Sequence, residues 1–195
     1  MKPRRLSFTH VGITLIAGFL IAPHSGDVAA APTAADSPAV RNGAHDFDFE
    51  LGKWTTHLRR LQHPLSNSTT WVEYDGTTDV LSILGGRANM VELQVAGPAG
   101  RIDGLSLRLY EPESHQWTLN FANIVNGQLT SPMIGSFKDG RGEFYGKDTF
   151  NGKAILVRFL ITKKTSESIE FEQAFSTDEG RTWEVNWLAV DQKRP

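Results

Sequence analysis

The 195-residue chain contains no cysteine. That excludes disulfides, thiolate metal sites, a cysteine nucleophile and a lipid-modified N-terminal cysteine. There is no surplus of positive charge either, with 20 Lys and Arg against 22 Asp and Glu. No basic run follows residue 5, which argues against nucleic acid as a partner, because affinity there comes mainly from clustered Lys and Arg on phosphates. No window of a dozen residues shows a helical period, and no internal repeat of the kind that builds a propeller is present. The motifs of common hydrolases are missing as well. "GLSLR" (104–108) only echoes G-x-S-x-G, and no H-E-x-x-H occurs.

One long hydrophobic run does exist, "VGITLIAGFLIA" at 11–22. Lys2, Arg4 and Arg5 precede it and "VAAAP" follows it. This is the layout of a secretory signal, too short to span a bilayer as a mature helix. Cleavage after Ala30 is expected, giving an exported protein, periplasmic or secreted, with no stable membrane anchor. It leaves 17 basic against 21 acidic residues, a net charge of −4. Residues 31–44, rich in Ala, Pro, Ser and Asp, read as a flexible linker. A single domain is expected over 45–195, and about 150 residues suffice for a core without disulfides.

From Gly52 onward the pattern has period two. Runs such as "LSLRLY" (105–110), "WTLNFAN" (117–123) and "SIEFEQAFS" (168–176) alternate between apolar and polar positions. Gly, Asp, Asn and Pro turns separate about ten such runs. Local antiparallel connections favour a meander closed into an all-β, up-and-down barrel of about 8–10 strands, which has no exposed edge and can enclose a cavity. The architectural alternative is a β-sandwich.

"HDFDFELGKW" (45–54) carries one His and three carboxylates around two Phe. Read as extended chain, it places His45, Phe47 and Phe49 on one side and Asp46, Asp48 and Glu50 on the other, facing water. That separation argues against a metal site, and neither a metal nor a cofactor is expected. "STDEGRTW" (176–183) matches an Asp-box, a hairpin capped by an Asp over a Trp. One copy reads as a folding device built from Ser176, Asp178 and Gly180. Glu92, Asp148 and Glu172 are candidates for a carboxylate pair, although acids on amphipathic strands mostly form the solvated face.

Polar residues within apolar faces say more about a site. Asn89, Asn123, Asp148 and Gln173 each share a face with aromatic or aliphatic neighbours. Buried there, they need partners. Together with Trp54, Trp117, Phe121, Phe171 and Trp187 they are the expected lining of a small-molecule cavity. Arg158, which interrupts "AILVRFLIT" (154–162), is added to the list as either an interior cation or an outward-snorkelling one.

Four motifs in order, "FDFELGKW", "ILGG", "SLRLYEP" and "STDEGRTWEV", resemble the DUF1579-type lipocalin-like bacterial proteins. Gly52-x-Trp54 is also similar to the signature of the wider calycin superfamily. The resemblance covers residues 45–190. It implies a calycin-like barrel closed at one end by Trp54, and related barrels hold small hydrophobic molecules. The expected role is therefore binding of a small, largely apolar ligand. The alternatives are a filled structural or adaptor barrel, and an isomerase-, cyclase- or lyase-type enzyme working in the cavity.

Overall fold

The computed structural model describes residues 41–195. The expected signal and most of the expected linker lie outside them. The ten strands are β1 (Gly52–Leu61), β2 (Trp71–Ile83), β3 (Ala88–Gly97), β4 (Gly100–Glu111) and β5 (Gln116–Asn123), then β6 (Met133–Lys138), β7 (Arg141–Phe150), β8 (Lys153–Lys163), β9 (Ser168–Ser176) and β10 (Glu184–Lys193). Each pairs antiparallel with the next, and β1 pairs with β10, so the sheet closes into the expected up-and-down barrel.

Local chemistry explains the meander. Asp139-Gly140 joins β6 to β7 and Asn151-Gly152 joins β7 to β8, and all four residues have positive φ. Two-residue turns of this kind match the right-handed twist of the strands they connect. Gly76 marks a sharp approach inside β2. A Cβ there would lie 2.0 Å from the Gln94 carbonyl oxygen, so any side chain would push β3 away.

The opening stretch corrects the expectation of extended chain. Residues 45–50 form turns that end in a 3-10 helix, Asp48–Glu50. The amides of Asp46, Asp48, Glu50 and Leu51 donate to carbonyls three residues back, at 3.0–3.2 Å. Among the described residues no strand pairs with the segment, so its backbone satisfies itself locally, and the period becomes three rather than two. His45 therefore meets Asp48, with Nδ1 2.9 Å from Oδ2, instead of being separated from the acids. Phe47 and Glu50 fall on one side and both are buried, so Glu50 does not face water.

This turn plugs one end of the barrel. The Phe47 ring meets Trp117 and Phe137 edge-on, each at 4.8 Å between centroids. Trp54 donates from Nε1 to the Glu50 carbonyl at 2.6 Å, and Trp117 donates to the Gly43 carbonyl at 2.9 Å. The aromatic cluster of Phe47, Trp54, Tyr110, Trp117, Phe137 and Phe144 is the main core, and it lies at the plugged end. Gly43, within the stretch expected as linker, is buried against it. Among the described residues no helix is long and apolar enough to cross a membrane.

Candidate functional site

Above the plug the barrel is hollow. A cavity of about 310 Å³ runs from the plugged end towards the far rim. Its walls are apolar, built from inward positions such as Leu58, Val91, Leu119, Val157, Phe159 and Phe171. Its rim is polar, with Arg60, Asn120, Asn123, Thr130, Lys147 and Asp148. On one side the wall is thin, because β5 and β6 share only the pairs Trp117–Gly135, Thr118–Ile134 and Leu119–Met133. Beyond them Thr130 stands in for a strand. Its amide donates to the Phe121 carbonyl at 2.7 Å, and its hydroxyl accepts from the Phe121 amide at 3.0 Å.

The floor carries the charge. Alternation along β1 places Thr56 inward after Trp54, and Thr56 Oγ1 donates to Asp191 Oδ1 of β10 at 2.6 Å. Thr78 of β2 lies 2.7 Å from Thr56 through its own hydroxyl. Arg108 of β4 also points inward, pairs with Glu50 of the plug and lies 4.3 Å from the Phe47 ring centroid. Asn89, beside Arg108 in register, is buried with its amide nitrogen unpartnered, as is Arg108 Nε. Burial raises the Glu50 carboxyl, opposed by the Arg108 charge and hydrogen bond. Burial also raises Asp191 to about 7; its Thr56 hydrogen bond opposes that shift, the Glu50 charge adds to it, and Arg108 opposes it again.

A consequence for stability follows. Asp191 holds its proton in the folded state up to about pH 7, whereas an unfolded Asp gives it up near its ordinary value of 3.8. The folded state thus binds the extra proton between those values, and stability falls as pH rises through that window. Asp191→Asn is expected to flatten this part of the profile and to stabilise the protein most at and above pH 7. Urea unfolding from pH 4 to 8 measures it, and an unchanged slope would refute the assignment.

Of the residues expected at the site, Phe121, Asn123, Asp148, Phe171, Gln173 and Trp187 line the cavity. Gln173 is satisfied inside it by Asn186 Oδ1, 2.9 Å away. Asn123 spends its side-chain oxygen on the amides of Val125 and Asn126, which shapes the rim loop. Trp54 and Trp117 belong to the closed end beneath the cavity, and Asn89 lies sealed beside the floor. Arg158 is a correction. It faces outward, because its neighbours Val157 and Phe159 take the inward positions. It pairs with Glu172 at 2.8 Å and stacks over Trp183 at 4.9 Å. That pairing also removes Glu172 from any interior acid pair. Glu92, on the outer face of β3, is exposed.

Trp183 itself does not share a face with Trp187. A β-bulge between Val185 and Trp187 shifts the alternation. The Asp-box does what its residues suggest. Asp178 accepts from the Thr182 amide and hydroxyl at 2.9 and 2.6 Å, and Ser176 accepts from the Gly180 amide at 2.9 Å. Those hydrogen bonds, led by the Thr182 hydroxyl, hold Asp178 down at about 2. Gly180 takes φ of 86° over the Trp183 ring.

The sequence reading missed Glu50, Thr56, Thr78, Arg108 and Asp191. Leu105, Leu107 and Leu109 made their face look like the interior of β4, yet Leu105 and Leu109 are exposed and Ser106 and Arg108 point in. Asp191 was within reach, since stepping by two from Trp187 through Ala189 arrives at it. Among the described residues no three His, Asp or Glu side chains are grouped to hold a metal ion.

The chain matches no protein-family model and no curated protein. Solved structures share its fold. It is similar to the S-type phycobiliprotein lyase CPES from Guillardia theta, with 12% identity over 80% of this chain and 94% of that one, at a TM-score of 0.57. It is also similar to Rv2717c from M. tuberculosis, with 14% identity over 78% of this chain and 98% of the other, at a TM-score of 0.53. At these identities the likeness is one of barrel architecture.

Proposed function

We propose that this barrel binds a small, largely apolar molecule in its cavity. One observation carries the reading: the interior beyond the plug is an apolar-walled space of about 310 Å³, lined rather than filled by its aromatic side chains. Space of that size, closed below by a polar floor and open at a polar rim, has the anatomy of a ligand pocket. A barrel serving only as a structural module has no need of it, since small barrels fill their interiors with side chains. The fold shared with a phycobiliprotein lyase supplies a scaffold precedent and no residue roles. The motif resemblance to DUF1579-type proteins and the N-terminal basic–apolar layout fit an exported member of that group. N-terminal sequencing of the secreted product, expected to begin near Ala31, tests the export part.

The neutral fluorophore N-phenyl-1-naphthylamine provides the binding test. Its emission is expected to rise saturably with one site per chain. Val157→Trp, which fills the cavity from β8, is expected to abolish the rise while leaving the far-ultraviolet dichroism unchanged. Absence of saturable binding to the wild-type protein would overturn the reading.

A second reading, acid–base chemistry on the bound molecule, is favoured by Asp191 alone. A carboxyl near 7 at the end of an apolar cavity is poised to give or take a proton. If this reading holds, a carbonyl compound with an acidic α-hydrogen will exchange it for deuterium in the presence of the protein and not of Asp191→Asn.

A further inference from the structure

The charges on the cavity floor do not balance, and the imbalance has a sign. Once Asp191 ionises, two carboxylates answer to one guanidinium: Asp191 and Arg108 line the cavity, and Glu50 lies buried behind the floor in the plug. Arg108 is committed to Glu50 and lies over the Phe47 ring. Asp191, 3% exposed, receives only the Thr56 hydroxyl, and its Oδ2 has no hydrogen-bond partner among the described residues. The elements around it bring no further charge. Thr56 opposes it from β1, Ile169 from β9, and Thr78 stands behind Thr56 on β2. The cations nearer the rim do not compensate. Arg60 is four residues along β1 from Thr56, about 13 Å at strand spacing, and Lys147 lies with it at the rim. Asp191 on the floor is left without a counter-ion of its own.

Resting on the cavity-binding reading above, we propose that the ligand is an amphipathic amine, whose protonated nitrogen pairs with Asp191 at the floor while its apolar body fills the walls above. An anionic head would meet Asp191 on the floor, with Arg108 already paired to Glu50 behind it. An amine completes the charge count, and its arrival drives the Asp191 proton off.

Decylamine and decanol, whose own charges are constant between about pH 5.5 and about pH 8.5, and decanoate, compared at the higher pH where it is fully ionised, separate the possibilities by calorimetric titration of the wild-type protein. Decylamine is expected to bind tighter than the other two, and roughly thirtyfold tighter at the higher pH than at the lower, because Asp191 must ionise to pair with it. Decanol is expected to bind without that dependence. Asp191→Asn, isosteric and uncharged, is expected to bring decylamine down to the affinity of decanol and to erase its pH dependence. Decanoate binding most tightly, or decylamine binding with no pH dependence, would overturn the amine assignment and leave the cavity reading standing. Failure of all three, together with N-phenyl-1-naphthylamine, would remove both.

Discussion

Arg108→Met is expected to destabilise the folded barrel by about 3–5 kcal/mol, because it leaves Glu50 buried and ionisable with no counter-ion. Both partners are almost completely buried, so solvent does not screen the pair as it does surface ion pairs. The loss should be largest at neutral pH and smaller in acid, where the isolated Glu50 can take up a proton and avoid the cost of a bare charge. Part of the loss also comes from the guanidinium–ring contact with Phe47, which holds the plug against β4. A double variant, Glu50→Leu with Arg108→Met, should recover much of the stability, since replacing a whole buried pair by apolar groups is often neutral or better. Urea denaturation of the two single variants and the double gives the coupling directly. A loss below about 1 kcal/mol for Arg108→Met would mean that water reaches the pair and that the plug does not seal the floor.

Trp54→Ala should cost a similar amount, about 3–5 kcal/mol, the usual range for truncating a buried Trp. The side chain is 1% exposed in the closed-end core. It donates to the Glu50 carbonyl at 2.6 Å and supports Lys193 Nζ 4.4 Å from its ring centroid. Truncation therefore empties a volume at the closed end, frees a plug carbonyl and loosens the last strand. Because the plug also fixes Glu50, the variant should show weaker binding of N-phenyl-1-naphthylamine even at temperatures where it remains folded. Loss of stability under 1 kcal/mol would show that Trp54 is dispensable to closure.

The architecture was legible in the sequence for a physical reason. Period-two alternation and Asp-Gly and Asn-Gly turns are local signals, and in a meander every strand pairs with a sequence neighbour. Only the β1–β10 seam is non-local. The lining was legible where one face is plainly apolar, as for Phe121 on β5 and Phe171 and Gln173 on β9. It was misread where both faces are apolar. On β4 the leucines lie outside, and on β8 Leu156 and Leu160 back the same strand whose inward side carries Val157 and Phe159, so Arg158 had no distinctive side. The floor was illegible because its members come from β1, β2, β4 and β10, with Glu50 of the plug behind them, and only closure brings them together. The plug itself was misread because an isolated segment with no pairing strand follows a three-residue period instead.

The seam between β1 and β10 ties the cavity to both ends of the domain. The cavity is bounded in part by the first and the last strands of the domain, and Asp191 rides on the last of them. Without residues 184–193 the sheet would be left open between β1 and β9, with no floor carboxylate in place. A chain clipped before residue 184 should therefore lose the enclosure of the cavity and its floor carboxylate together rather than by degrees.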